Sequence, residues 1–210
     1  KKAALYYLYL MKLIPSLLLS FLLISSCTVQ KPQSSTTAQE FSHAAVVTAH
    51  PIASEVGVTI LKKGGNAIDA AIAVQFALAV VYPNAGNIGG GGFLVYRGHS
   101  GEINSLDFRE KAPAQASRDM YLDSAGNAIT DLSLYGSLAA GVPGSVAGME
   151  AAHKKYGSLT WQSLLQPAID LAEKGFPITA KQAQEFNNNK SLFTTQNPNG
   201  AALLKDENWN

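Results

Sequence analysis

The sequence predicts an α+β fold on three observations. Two consecutive segments, residues 51–63 and 67–81, carry helical apolar patterns. A run of four glycines, Gly89, Gly90, Gly91 and Gly92, then leads into two short β-type segments separated by a turn. Helical patterns return after residue 144. The order is helix, helix, strand, strand, then helices, and each element has its own local reason.

Residues 1–26 read as an export leader. Met11-Lys12 supplies a positive start, with Met11 read as the translation start, and residues 13–24 form an apolar core of signal-peptide length. The core ends at Ile24-Ser-Ser-Cys27, which resembles a bacterial lipobox, so Cys27 is expected to carry lipid. The expected location is the bacterial cell envelope, as a periplasmic or outer-membrane-anchored lipoprotein. An ordinary secretory signal cut nearby is the alternative. A retained span is disfavoured, because the uninterrupted apolar run falls short of the ~20 residues a membrane crossing needs. Residues 27–42, rich in Ser, Thr and Gln, read as a polar tether.

The rest of the chain is long enough for one domain of ordinary size. Hydrophobic residues make up 47% and charged residues 15%, which excludes a disordered chain. Three of the 16 basic residues, Lys1, Lys2 and Lys12, lie in the leader, so 13 face 15 acidic ones and the mature net charge is −2. That balance offers no electrostatic footprint for nucleic acid. Cys27 is the single cysteine, which excludes an intrachain disulfide and a cysteine-rich metal site.

Residues 43–48 form the first strand candidate. In residues 51–63, Ile52, Val56 and Ile60 share one helix face, and Gly64-Gly65 closes the helix. Asn66 is placed to cap the next helix, 67–81, which is apolar nearly all round and so expected to be buried on most faces. Asp69 is its exception and reads as a first-turn acid favourable to the helix dipole. Residues 93–96 read as a buried strand, His99-Ser-Gly101 as the turn and residues 103–108 as the returning strand. Ser124-Ala-Gly-Asn127 is a further turn. Gly141-Val-Pro-Gly144 opens a helix to about Tyr156, its start suited either to an anion or to close packing. A helix over 160–174 is expected to break or restart at Pro167 and to stop at Gly175-Phe-Pro177. Residues 179–187 suggest one more short helix, and 187–210 a polar, poorly ordered tail. There is no internal repeat.

The hairpin delivers Asp107-Phe108-Arg109-Glu110 to a strand end. Arg109 is a rigid bidentate fork suited to a carboxylate; pairing with Asp107 or Glu110 at the surface is the other reading. Asp107 and Glu110 read as supports for Arg109 or as hairpin contacts, since strand geometry does not aim them at one point. His43, His50, His99 and His153 lack metal-ligand spacing. The glycine run is no P-loop or dinucleotide fingerprint, because the helix precedes it and the strand follows. There is no G-x-S-x-G elbow.

Asn84-Ala-Gly-Asn-Ile-Gly-Gly-Gly-Gly-Phe93 followed by Asp107-Phe-Arg-Glu-Lys-Ala-Pro113 resembles the γ-glutamyltranspeptidase (glutathione hydrolase) family. Gly64-Gly-Asn-Ala-Ile-Asp-Ala-Ala71 and Gly141-Val-Pro-Gly-Ser-Val-Ala-Gly148 extend the likeness to roughly residues 43–177. The resemblance implies an N-terminal-nucleophile hydrolase fold, an αββα sandwich of two sheets between helical layers. Only the N-terminal part of its large subunit would be present, in residues 43–186. It implies transfer of the γ-glutamyl group of glutathione to water or an amino acid through a threonine acyl-enzyme, without a cofactor. The threonine would be freed by autocatalytic cleavage of a zymogen, its own amine serving as base. Arg109 would bind the α-carboxylate of the γ-glutamyl group. The implied partners are glutathione, other γ-glutamyl compounds and a small subunit that carries the threonine. Neither Thr36-Thr37 nor Thr194-Thr195-Gln196 matches the family's Thr-Thr-His motif, so no catalytic residue is assigned in this chain. Two rivals stand beside this reading: an inactive lipoprotein remnant or γ-glutamyl-binding module, and a related amide acylase of the cephalosporin-acylase kind.

Overall fold

The computed structural model describes residues 40–196. The leader, Cys27 and the Thr36-Thr37 pair lie outside the described residues. The compact unit begins at His43. Its helices are α1 (Pro51–Lys62), α2 (Ala67–Val81), α3 (Thr130–Leu134), α4 (Ser145–Tyr156), α5 (Trp161–Lys174), α6 (Ala180–Asn188) and α7 (Lys190–Gln196). Strands β1 (Phe93–Arg97) and β2 (Ile103–Asp107) fall between α2 and α3, and a 3-10 turn, Ser137–Ala139, between α3 and α4. The described residues thus have an α+β fold, helices with a small two-stranded sheet.

Helix α1 starts on Pro51, whose missing N–H costs nothing in a first turn. It stops where Gly64 turns to φ 90°, and the Gly65 N–H returns to the Ile60 carbonyl at 3.0 Å. Asn66 then caps α2. Its Oδ1 accepts from the Ile68 and Asp69 amides at 2.9 and 3.1 Å, and the Asp69 Oδ2 accepts from the Asn66 amide at 2.9 Å. This reciprocal capping box satisfies amides that would otherwise be orphaned.

Helix α2 is apolar all round because it is the centre of the unit. Its Ile68, Ala70, Ile72 and Ala73 meet Ile60 of α1, Met149 and Ala152 of α4 and Leu164 of α5. Further along, Ala77 and Val81 meet Ala53, flanked by Leu171 and Phe176. Each large apolar side chain buried this way contributes about 1.5–3 kcal/mol. Asp69 does more than face the helix dipole. It is fully buried and accepts from the Ser158 Oγ at 2.5 Å, the Ser158 amide at 3.1 Å and the Leu159 amide at 3.4 Å. One carboxylate thereby ties the start of α2 to the α4–α5 loop, 89 residues away.

The hairpin is antiparallel with Leu94 opposite Leu106 and Val95 opposite Ser105. Leu94, Tyr96 and Leu106 point inward against the helices, and the Tyr96 ring lies 4.2 Å from that of Tyr156. Phe93, Val95 and Ile103 point outward and are 67, 78 and 71% exposed. Residues 93–96 are therefore not the buried strand the sequence suggested. The hairpin has one covered face, because the only layer against it among the described residues is helical.

Three other expectations are corrected. Residues 43–48 are not a strand: a strand needs a ladder partner, and none lies beside them among the described residues. The segment instead passes α1 without regular structure, with Val46 pressed so close that a Cβ at Gly57 would meet its Cγ1 at 2.7 Å. Helix α5 runs unbroken through Pro167. Buried Leu164 and Ala168 on either side of it hold the helix to the core, which offsets the lost backbone bond. Residues 190–196, read as tail, form α7.

Candidate substrate-binding site

The glycine run, the end of β2 and the start of α4 converge on one small volume. The Gly90 carbonyl accepts from the Gly144 amide at 2.8 Å and the Ser145 amide at 3.0 Å. The start of α4 is thus occupied by the glycine run, which answers the choice left open at Gly144 in favour of packing over an anion. The Gly92 carbonyl accepts from the Phe108 amide at 3.0 Å, one step beyond the β ladder. Residues 111 and 142 bridge reciprocally, with Lys111 N–H to Val142 O at 3.1 Å and Val142 N–H to Lys111 O at 2.8 Å.

These contacts explain why glycine is needed. A Cβ at Gly91 would reach the Arg109 Cα at 2.6 Å, and one at Gly92 the Phe108 ring at 2.9 Å. A Cβ at Gly144 would overlap the Phe108 carbonyl, and one at Gly148 the Phe108 ring. Such approaches are open only to residues without a side chain. Within the run, Gly91 allows backbone-to-backbone packing on residues 108–110 and Gly92 seats the Phe108 ring, while Gly89 stands in open space.

Arg109 stands on this clamped backbone. Its amide donates to the Asp107 Oδ1 at 3.0 Å, so Asp107 supports the main chain of Arg109 and not its guanidinium. Among the described residues the guanidinium has one ion pair, Nε to Glu110 Oε1 at 3.8 Å, with the two side chains 69 and 42% exposed. A pair that open and that long contributes little. The fork faces a cavity of about 610 Å³ whose lining includes Asp107, Phe108, Glu110, Lys111, Pro143 and Gly148. A carboxylate-sized anion at this cavity would meet a planar double donor with few competing bonds.

The other residues singled out from sequence lie elsewhere. Thr194 and Thr195 sit in α7, where the Thr195 hydroxyl donates to the Ser191 carbonyl at 2.6 Å. His153 meets the Leu159 carbonyl through Nε2 at 2.8 Å and the Trp161 ring at 5.3 Å, a packing role. His50 is buried edge-on to Phe176, and His43 and His99 are exposed. Among the described residues no three His, Cys, Asp or Glu side chains cluster as metal ligands. Sequence reasoning marked Gly92 and Gly144 for close packing but missed Phe108 as the residue seated on them, and Gly148 with it. The available signal was the Gly144…Gly148 spacing, which puts two bare positions on one helix face.

The γ-glutamyltranspeptidase family model matches residues 53–209. The chain is 52% identical over 162 residues to the glutathione hydrolase proenzyme of Pseudomonas sp. (strain A14), covering 77% of this chain and 28% of that protein. Among solved structures it superposes on Helicobacter pylori γ-glutamyltranspeptidase with a TM-score of 0.73 at 51% identity, covering 76% of this chain and 46% of that one. A more distant match is the cephalosporin acylase of Bacillus halodurans, with a TM-score of 0.59 at 29% identity over 75% of this chain and 31% of that one. The chain therefore spans a little over a quarter of the curated relative and under half of either solved chain. A family match over three quarters of the sequence, on the same glycine run and arginine that build the site, means that the chain belongs to the γ-glutamyltranspeptidase family.

Proposed function

We propose that this chain is the first part of the large subunit of a glutathione hydrolase and γ-glutamyltransferase, and that Arg109 holds the α-carboxylate of the γ-glutamyl donor. The observation that carries the reading is a guanidinium with one weak ion pair, on a rigid backbone, at the edge of a cavity. Charge-assisted bonds from such a fork contribute about 1.5–3 kcal/mol each. The donor would be glutathione or another γ-glutamyl amide. The threonine nucleophile and the oxyanion donors would come from a small subunit outside these residues, and the acyl-enzyme would be resolved by water or an amino acid. The fold completed in this way would be the αββα sandwich of N-terminal-nucleophile hydrolases. The uncovered outer face of the β1–β2 hairpin supports that reading. Identity near one half to the hydrolases, against 29% to the acylase, favours γ-glutamyl chemistry over the acylase reading.

The test uses a proenzyme-length protein carrying this segment. Arg109→Lys keeps the charge and loses the fork, so kcat/KM for a γ-glutamyl anilide should fall at least about tenfold, the equivalent of 1.36 kcal/mol. Self-cleavage should persist, because it involves no donor carboxylate. The decarboxylated analogue of the anilide should be nearly indifferent. Equal losses on both substrates would make Arg109 a structural residue.

We further propose that Cys27 is lipidated and anchors the protein in the bacterial envelope. Small residues before the cysteine, at the end of an apolar core of leader length, support this.

A further inference from the structure

We infer that Phe108 is a positioning residue for Arg109, and that the glycine face of α4 formed by Gly144 and Gly148 is the seat that sets it. The inference rests on the reading of Arg109 as the carboxylate-binding group and goes beyond it. Among the described residues, Arg109 makes no contact that fixes its guanidinium beyond the weak pair with Glu110. Its aim is set by the backbone from which it grows. That backbone is held at two points. On one side the Phe108 amide bonds to the Gly92 carbonyl, and its ring lies on Gly92 and Gly148. On the other side Lys111 pairs reciprocally with Val142. Gly91 closes the space directly against the Arg109 Cα.

The seat leaves no slack. A Cβ at Gly144 would overlap the Phe108 carbonyl, and a Cβ at Gly148 would overlap both the Phe108 Cβ and its ring. The neighbour displaced by a methyl group at Gly148 is the residue that precedes Arg109 in sequence. A tight interior cannot absorb a methyl group without moving side chain or backbone. A shift of about 1 Å in a positioning group is enough to cost on the order of a hundredfold in rate. Phe108 lines the same cavity, but the role assigned to it is not to hold substrate. It acts by holding the peptide that presents the fork.

Three variants of a proenzyme-length protein carrying this segment test the assignment: Gly148→Ala, Phe108→Leu, and the two together. The readout is kcat/KM for a γ-glutamyl anilide divided by that for its decarboxylated analogue, with KM and kcat separated. Gly148→Ala should lower the ratio about tenfold, chiefly through KM, and leave the decarboxylated substrate within about twofold. Phe108→Leu should lower the ratio in the same direction, because the smaller side chain leaves the seat loose. The double variant should stay at least as low as Gly148→Ala alone, since leucine keeps the Cβ and Cγ that the added methyl group meets. Should Gly148→Ala fail to fold, Phe108→Leu carries the test. An unchanged ratio in the folded variants, or equal losses on both substrates, overturns the positioning role. Arg109→Lys is run alongside. If it too leaves the ratio unchanged, the carboxylate reading is what fails; if it lowers the ratio while the Phe108 and Gly148 variants do not, only this inference fails.

Discussion

The Asp69 carboxylate gathers bonds from three residues, Asn66, Ser158 and Leu159. Burial opposes its charge, but the bonds from the Ser158 hydroxyl and the Asn66, Ser158 and Leu159 amides outweigh burial and hold its carboxyl below the ordinary value of 3.8. A carboxyl depressed in the folded state stabilises fully above its unfolded value, and that contribution disappears as pH falls through the folded value. Between pH 5 and 8 the contribution of Asp69 should therefore be constant, and below about pH 4 it should decline. Asp69→Asn presents an amide N–H₂ to a ring of donors and should cost about 3 kcal/mol, the scale of a lost charged partner in a buried network. Urea melts of both forms between pH 3 and 7 check this. The difference should narrow at the acid end, and a difference that holds constant down to pH 3 would show that the carboxylate charge is not what matters.

At the scale of elements, helices are where local patterns and structure agree. The capping signal at Asn66, the stop at Gly64 and the capping box of Thr179 with Gln182 all lie in neighbouring residues, so the pattern contains its own explanation. The elements that differ depend on distant partners. Pro167 is carried inside α5 by packing against α2, and Gln182 of α6 donates to the Val81 carbonyl at 2.7 Å, 101 residues away. The β1–β2 hairpin has the same dependence on its outer face, where Phe93, Val95 and Ile103 form an exposed apolar row. An uncovered row of this kind promotes association. The 210-residue chain alone should self-associate, and Val95→Lys with Ile103→Lys should shift it toward monomer without loss of helix content. Sedimentation velocity with far-UV circular dichroism measures both, and an unsubstituted chain that sediments as a monomer refutes the expectation.

At the scale of the whole molecule, the proposed lipid on Cys27 makes a prediction about where the protein partitions. With lipid on Cys27, the exported protein should partition with membranes and take up palmitate. Cys27→Ala should abolish the label and release the protein to the soluble fraction. Labelling that survives the substitution refutes the lipid anchor.

The sequence by itself determined the helices α1, α2, α4 and α6 and the hairpin, because helical periodicity, caps and turn residues act over three or four positions. It also singled out Arg109 and the glycine run, since a guanidinium beside a strand end and four bare residues are chemical facts before any fold forms. Tertiary structure alone decided that Gly91 packs on the backbone of residues 108–110 and that the Gly90 carbonyl takes the first amides of α4. It decided that Asp69 binds a loop 89 residues away. Among the described residues it also left 43–48 without a ladder and the outer face of the hairpin bare. The physical reason is common to all of these. Close approach, ladder pairing and burial are properties of two surfaces meeting, and a linear pattern describes only one of them.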